Sequence, residues 1–454
     1  MIIGIGRMRS HLLIGAASSG SGKTTFTLGL LRALKKRGMC VRPFKCGPDY
    51  IDTRHHLQAA GLPSVNLDTF MMSEGHVKDL YVRYTQNVDV AVTEGVMGLF
   101  DGFDAMRGSS AEISSLLRIP VVLLINSRSV AYSVAPLIYG FRTFRKDLDI
   151  VGAVFNFVAS DNHYASLRQA CEDAGVEPLG YLPRRTDIEI PSRHLGLSLE
   201  EDFCFEEFAD RIAALVEDHV DVDRLLALTV PKQDPSSLVS GLNDDVPISD
   251  LRIAIAHDAA FNFSYEENIR YLSLLGKIIY FSPLKDQCLP EADLVYLPGG
   301  YPELFLQALS ENQAMLSSIC TYAEEGGHLL AECGGMMYLC DEIVGMDGKH
   351  YPMVGILHQS ATMEKMKLRL GYRTLQCNDQ TLWGHEFHYS RILPNACPIM
   401  SEAKVFTAKG VATDTPLYRY KNVWAGYTHL YWGDPTRNSW FLDNLCNRKN
   451  EKMP

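Results

Sequence analysis

The chain has 454 residues, 46% of them hydrophobic and 21% charged, with a net charge of −11. That length exceeds what one hydrophobic core organises, so two domains are expected. The acidic balance excludes a global field that attracts nucleic acid, and apolar runs such as IPVVLLIN (119–126) are too short to cross a bilayer.

The N-terminal stretch MIIGIGRMRSHLLIGAASS lacks the apolar length and cleavage site of a signal peptide. It reads as the first strand of a cytoplasmic protein. HLLIGAA (11–17) is followed by the amphipathic helix TTFTLGLLRALKKRG (24–38), closed by Gly38. MCVRPFKCG (39–47), VDVAVTEG (88–95), PVVLLIN (120–126) and DIVGAVFN (149–156) are further strands. Their unbroken Val/Ile/Leu runs suit a parallel sheet covered by helices on both faces, hence an α/β, doubly wound first domain over 1–217. RTFRK (142–146) is the densest basic run and reads as a solvated helix face.

Between the first strand and helix lies SSGSGKTT (18–25). Ser19, Gly20, Ser21, Gly22, Lys23, Thr24 and Thr25 form a loop whose backbone N–H groups can curl around phosphates. Lys23 reaches the outer phosphates and the Thr24 hydroxyl can ligate Mg²⁺. The strict phosphate-loop pattern wants glycine where Ala17 stands, but the strand–loop–helix context is intact. Two acidic stretches, KCGPDYIDT (45–53) and TEGVMGLFDG (93–102), end strands, where a doubly wound sheet gathers its ligands. Asp49, Asp52, Glu94 and Asp101 are therefore candidates for magnesium or substrate contact.

Residues 218–250, with three prolines, paired serines and paired aspartates, read as a linker containing one short helix, VDRLLAL. The α/β alternation then restarts over 251–454, with strands at LRIAIAHD (251–258), GKIIYFSP (276–283), ADLVYLPGG (292–300) and GGHLLAECGG (326–335). The eleven cysteines include no Cys-x-x-Cys pair, which excludes a zinc knuckle and argues against a disulfide framework. Ten of them read as small buried apolar residues. Cys333 differs, because it follows a strand and precedes Gly334–Gly335 and a helix, the geometry of a nucleophile elbow. The helix N-terminus is expected to favour its thiolate. The N–H of Gly334 can serve an oxyanion hole, with a second donor from the Gly299–Gly300 loop of YLPGGYPE. Its base is to be sought among His385 and His388 of WGHEFHYS and His429 of WAGYTHLYW.

SGSGKTT, FKCGPDYIDT, TEGVMGLFDG, PSRHLGL (191–197), LPGGYPE, AECGGMMYL, GHEFHYS and YTHLYW, in this order, make the chain resemble cobyrinate a,c-diamide synthases over nearly its whole length. The resemblance implies an ATP-dependent amide-forming domain similar to dethiobiotin synthetase, joined to a class I glutamine amidotransferase-like domain. It implies that Cys333 attacks the glutamine side-chain amide, with His429 as the activating histidine and the second oxyanion donor at Gly300. It further implies that ATP, held at Lys23 with Mg²⁺ near Thr24, Asp49 and Glu94, phosphorylates the a and c acetate carboxylates, with Asp52 and Asp101 at the acyl-phosphate site. The expected partners are ATP, L-glutamine and cobyrinate or a related tetrapyrrole, with no nucleic acid or membrane; a homodimer is left open. Many class I amidotransferases place a carboxylate two residues after the histidine, where this chain has Tyr431, so a Cys–His dyad is expected. Asn126 replaces a common aspartate and Phe157 a common basic residue. Arg54, Arg184, Arg185 and Arg193 are candidates for contacts with a polycarboxylate. Hydrogenobyrinate, nickel-sirohydrochlorin or sirohaem as substrate remains an alternative. A different class, a regulatory ATPase with an inactive C-terminal domain, is opposed by the presence of Cys333, both glycine pairs and His429, and a partitioning-type ATPase is opposed by the net charge of −11.

Overall fold

The computed structural model describes residues 9–185, 204–239, 250–377, 380–393 and 399–437, and the chain forms two compact units, Met1–Asn243 and Asp244–Pro454. The first unit runs β1 Ser10–Ala16, α1 Lys23–Lys36, β2 Val41–Cys46, α2 Ile51–Ala60, β3 Val65–Leu67, α3 Glu74–Thr85 and β4 Val90–Glu94. It continues through α4 Ser110–Leu117, β5 Val121–Asn126, α5 Ala135–Phe144, β6 Ile150–Val158, α6 Asp161–Asp173 and β7 Glu177–Pro183, then α7 Phe205–His219 and α8 Val222–Leu228. All seven strands are parallel, in the order β3-β2-β4-β1-β5-β6-β7. Strands β1, β4 and β5 are buried almost throughout, as their continuous apolar runs require when helices cover both faces. The order places the carboxyl ends of β2, β4 and β1 side by side, which gathers the phosphate loop and both acidic stretches at one edge.

Helix α7 buries Phe208, Ala209, Ile212, Ala213 and Val216, a helical stripe that packs on α1. The approach depends on Gly29, where an added Cβ would lie 2.3 Å from Ile212 Cγ2. The segment read as a linker from residue 218 is corrected here. VDRLLAL is the helix α8, and Val222, Leu225 and Leu226, at helical spacing, join the core of the first unit. A short apolar stripe outweighs the proline- and serine-rich composition around it.

The second unit begins with β8 Leu251–Ala256, β9 Phe261–Phe263, α9 Glu266–Leu275, β10 Gly276–Phe281, β11 Leu294–Leu297 and β12 Gly299–Gly300. Next come α10 Leu306–Glu311, α11 Gln313–Glu324, β13 His328–Glu332 and α12 Gly334–Tyr338. Strands β14 Glu342–Val344, β15 His350–Pro352, β16 Ser360–Thr362, β17 Arg369–Cys377, β18 Gln380–His388 and β19 Arg391–Ile392 follow. The described part ends with β20 Lys404–Thr407, β21 Ala412–Thr413, β22 Leu417–Tyr420, β23 Val423–Gly426 and β24 His429–Leu430. The central sheet, β10-β8-β11-β13-β23-β22, is parallel except for β22. An antiparallel sheet, β21-β20-β17-β18-β24, brings GHEFHYS beside the histidine strand, with His385 opposite His429. The cysteines of the described residues are free thiols, and none of the described helices is long and apolar enough to cross a membrane.

Candidate functional site

The phosphate loop leaves β1 and turns into α1 through two left-handed glycines, Gly20 at φ 75° and Gly22 at φ 89°. A side chain on Gly22 would collide with Asn156, whose Nδ2 lies 2.1 Å from the Cβ position. That amide donates to Ser21 O at 2.9 Å and braces the loop from β6. Lys23 Nζ donates to the carbonyl of Met97 at 2.5 Å, in the loop after β4. Burial lowers the Lys23 pKa against the pull of Glu94. Ser19 and Gly20 are exposed at the loop tip, whereas Ser21 and Lys23 are buried. Thr25 follows in the first turn of α1, half-buried.

Below the loop lies a buried ionic cluster. The Thr24 hydroxyl donates to Glu94 Oε1 at 2.8 Å, with Asp52 Oδ2 at 3.3 Å. Lys45 Nζ reaches the same two oxygens, at 2.7 Å from Asp52 and 2.9 Å from Glu94. His56 Nε2 stands 2.7 Å from the other oxygen of Glu94. Burial alone would lower the Lys45 pKa, but the carboxylates of Asp52, Glu94 and Asp49 outweigh it and raise it. Glu94, which burial pushes up, is held below its ordinary value by Lys45 and His56. Asp49 is raised to about 6 by burial and by Asp52. Its Oδ1 caps α2, accepting from the N–H groups of Ile51 and Asp52 at 2.9 and 2.7 Å. Asp101 is exposed and accepts from Gly98 N at 3.0 Å, which folds its loop over the phosphate loop.

Among the described residues no group of three or more His, Cys, Asp or Glu side chains is arranged to enclose a metal ion. Two carboxylates with a threonine hydroxyl are nevertheless the partial, all-oxygen set that Mg²⁺ completes with phosphate and water. The Lys45 ammonium marks the place where positive charge is stabilised. Asp52 lies 3.3 Å from the Thr24 hydroxyl and belongs to that set, whereas the Asp49 carboxylate caps its helix. Lys45, Asn156 and His56 were not singled out in the sequence. A lysine two residues before Gly47 in a strand-ending acidic stretch is the signal that could have found the first. Asn126 is exposed, and Arg128 lies over the ring of Phe157 at 3.9 Å, bringing a guanidinium to the position where a basic residue is missing.

In the second unit Cys333 adopts φ 49° and ψ −108°, a strained conformation for a residue with a side chain, held by its N–H to Gly426 O at 2.7 Å. A Cβ on Gly334 would meet Gly300 O and N at 3.1 and 3.2 Å, so the two loops read as oxyanion donors lie against each other. Gly299 faces His429, whose Cε1 is 2.1 Å from where a Cβ would be. Cys333 Sγ lies 3.8 Å from the carbonyl of Phe387. The expectation of a thiol acidified by the helix is corrected: α12 has five residues, and burial pushes the Cys333 thiol well above its ordinary range, helped by Glu303, Glu332 and Glu386.

His429 is buried, with its pKa lowered to about 3 by burial and by neighbouring His385 and His388. His385 falls to about 3 through burial and Arg373. His388 falls to about 4 through burial; its Nδ1 pairs with Ser390 O at 2.9 Å and its ring stacks on Tyr427 at 3.7 Å. These contacts give His385 and His388 supporting positions around His429. Glu332, adjacent to Cys333, receives the Tyr296 hydroxyl on Oε2 at 2.8 Å and the Leu430 N–H on Oε1 at 3.0 Å. Its Oε2 is 4.0 Å from His429 Nδ1, and burial raises its carboxyl to about 8. Half-buried Glu303, in the 3-10 turn Pro302–Leu304, is raised to about 7 by burial. Neither glutamate was singled out in the sequence, although Glu332 directly precedes the elbow cysteine. Arg54, Arg184 and Arg185 are exposed, and Arg193 lies outside the described residues.

Residues 12–197 match the CobQ/CobB/MinD/ParA nucleotide binding domain, and residues 252–436 match the CobB/CobQ-like glutamine amidotransferase domain. Curated cobyrinate a,c-diamide synthases from Listeria innocua and Caldanaerobacter subterraneus are 38% and 41% identical, over 93% and 84% of this chain and 96% and 86% of the relatives. The hydrogenobyrinate a,c-diamide synthase of Brucella suis is 42% identical over 84% of this chain and 89% of its own. A phosphate-loop nucleotide-binding unit followed by a glutamine amidotransferase unit defines a carbon–nitrogen ligase that takes its amido group from glutamine. The chain belongs to the cobyrinate a,c-diamide synthase family, which acts in cobalamin biosynthesis.

Proposed function

We propose that this chain converts the a and c acetate carboxylates of cobyrinate into amides, with ATP as activator and glutamine as nitrogen source. The observation that carries the reading is the presence of a strained cysteine elbow with Gly300 and Gly334 beside it and a buried histidine nearby, in a chain that also holds an intact phosphate loop.

In the first unit, Lys23 and the loop from Ser19 to Thr25 hold the triphosphate. Thr24, Glu94 and Asp52, with Asp49 behind them, would hold Mg²⁺, which when bound neutralises phosphate charge. A substrate carboxylate oxygen takes the γ-phosphoryl group and ADP leaves. Ammonia then attacks the acyl carbon, the C–O bond to phosphate breaks, and the nitrogen loses a proton. Asp101, at the rim of the phosphate loop, is placed to meet the macrocycle or the acyl phosphate. In the second unit, His429 removes the Cys333 proton as sulfur attacks the glutamine Cδ. The oxyanion is met by N–H groups at Gly300 and Gly334, and the imidazolium returns the proton to departing ammonia. Water hydrolyses the thioester to glutamate.

Hydrogenobyrinate is the second reading, favoured by the 42% identity of the Brucella relative. Incubation with ATP, Mg²⁺ and glutamine, offering cobyrinate, hydrogenobyrinate and nickel-sirohydrochlorin in parallel, tests both by mass spectrometry. The expected product is cobyrinate with hydroxyl replaced by amino at two carboxyls and no further. Conversion of another ring alone would change the substrate, and ATP hydrolysis without any converted ring would overturn the amidase reading.

A further inference from the structure

The position two residues after His429 belongs to Tyr431, whose buried ring packs edge-on against Tyr265 at 5.5 Å and offers no carboxylate. We propose that Glu332 is the positioning acid of His429, reaching it from the residue before the nucleophile. The inference rests on the reading of Cys333 and His429 as the glutaminase pair.

The placement follows from strand register. Strand β13 pairs with β23 so that Glu332 lies opposite Gly426, and the chain turns after Gly426 to bring His429 back past the elbow. Glu332 Oε1 is tied to the N–H of Leu430, the residue next to His429, while Oε2 is fixed by Tyr296 and faces Nδ1 of the imidazole. Both fixed partners donate and pull toward the charged carboxylate, but burial outweighs them and raises the carboxyl to about 8. Glu332 is therefore charged above that pH and is drawn further to the charged form by an imidazolium beside it. The 4.0 Å separation is longer than a hydrogen bond, and catalytic contacts commonly shorten once the reacting complex forms.

The chemistry requires such a group. His429 must become an imidazolium when it takes the thiol proton, yet burial, His385 and His388 all disfavour that cation. The other deeply buried carboxylate near the thiol, Glu386, is bound to Arg373 at 2.7 Å and lies 3.9 Å from His388. Glu332 is therefore the acid placed to offset the charge on His429. With Nδ1 turned to an acceptor, the ring proton resides there and Nε2 is the basic nitrogen.

The test begins with the unaltered full chain labelled with ¹⁵N-histidine, His429 being assigned by comparison with His429→Gln. Read at about pH 9, where Glu332 is charged, the expected tautomer is Nδ1–H with a bare Nε2. In Glu332→Gln the amide donates to Nδ1, the tautomer inverts, and glutaminase kcat falls by about 10²- to 10⁴-fold while KM for glutamine holds. Tryptophan fluorescence checks that the variant is folded; if it is not, the tautomer of the unaltered chain decides. An Nε2–H tautomer in the unaltered chain, or an undiminished kcat in folded Glu332→Gln, would overturn the proposal. Cys333→Ala separates the two levels. Glutaminase surviving in Cys333→Ala removes the underlying reading, whereas its loss there, with full activity in Glu332→Gln, removes only the role of Glu332.

Discussion

The two buried polar clusters of this chain handle charge in opposite ways. Beneath the phosphate loop, Lys45 pairs with Asp52 and Glu94 at 2.7 and 2.9 Å, its own pKa raised and that of Glu94 held down, so both keep their charge. Around Cys333 the thiol and carboxyls are pushed up and three histidines pushed down, so burial drives most groups toward neutrality. The first arrangement holds its charges fixed before any ligand arrives, with two carboxylates already shaped around a cation. On the proposed reading of Cys333 and His429, the second creates its ion pair at the moment of reaction. Pairing suits a site that holds charge, and discharge suits a site that must generate it.

The contrast is broken most severely at the two central residues. Lys23→Ala should reduce amidation by about 10³-fold or more with glutamine or with ammonia, because carboxylate activation fails. Cys333→Ser should lose glutamine-driven amidation but keep the reaction with high ammonia. Product formation under both nitrogen sources checks the pair; a Cys333→Ser protein that is folded yet inactive with ammonia would show the two activities to be inseparable.

Gly299→Ala sharpens the comparison by moving His429 without changing any charge. The added Cβ would lie 2.1 Å from Cε1, and displacing the ring should cost about 10²-fold in glutaminase kcat. Unaltered kcat would mean that the ring has room to retreat.

Lys45→Met leaves Asp52 and Glu94 without their common ammonium and should destabilise the first unit by about 3–5 kcal/mol. All four tryptophans lie after residue 380. Circular dichroism should therefore show early unfolding in urea that tryptophan fluorescence does not follow. Coincident transitions at the original midpoint would count against a charge-paired cluster.

The smallest effect is on pH dependence. His429, His385 and His388, folded at about 3, 3 and 4, bind protons in the unfolded chain from their ordinary value of 6.5 downward, so acid removes stability. Glu332 and Glu303, folded at about 8 and 7 against 4.5, hold protons the unfolded chain has released, so stability falls as pH rises through that window. The three histidines outnumber the two carboxyls below 6.5, and only the carboxyls act above it. The urea midpoint reported by tryptophan should peak near the histidine value and decline on both sides; a steady rise to pH 8 would contradict this assignment of charge states.

Much of the first unit was legible because its strands are apolar runs and its loop carries small residues at fixed spacing. The elbow was legible for the same reason, since Glu-Cys-Gly-Gly interrupts a strand. The antiparallel hairpin of β17 and β18 was not, because it places polar side chains, Arg373, His385, Glu386 and His388, at buried positions among its apolar ones. The acid near His429 could not be read either. Sequence reasoning looks for it beside the histidine, whereas here a parallel strand pairing brings it from 97 positions earlier. Cluster members such as Lys45 and His56 are hidden likewise, since only the strand order places them against Glu94.

Lys45 Nζ lies against the same two oxygens that the Thr24 hydroxyl approaches. A divalent ion brought by a nucleotide would meet a resident cation on those oxygens and would hold them only by displacing it. The first unit therefore draws the counter-ion of two buried carboxylates from the polypeptide itself.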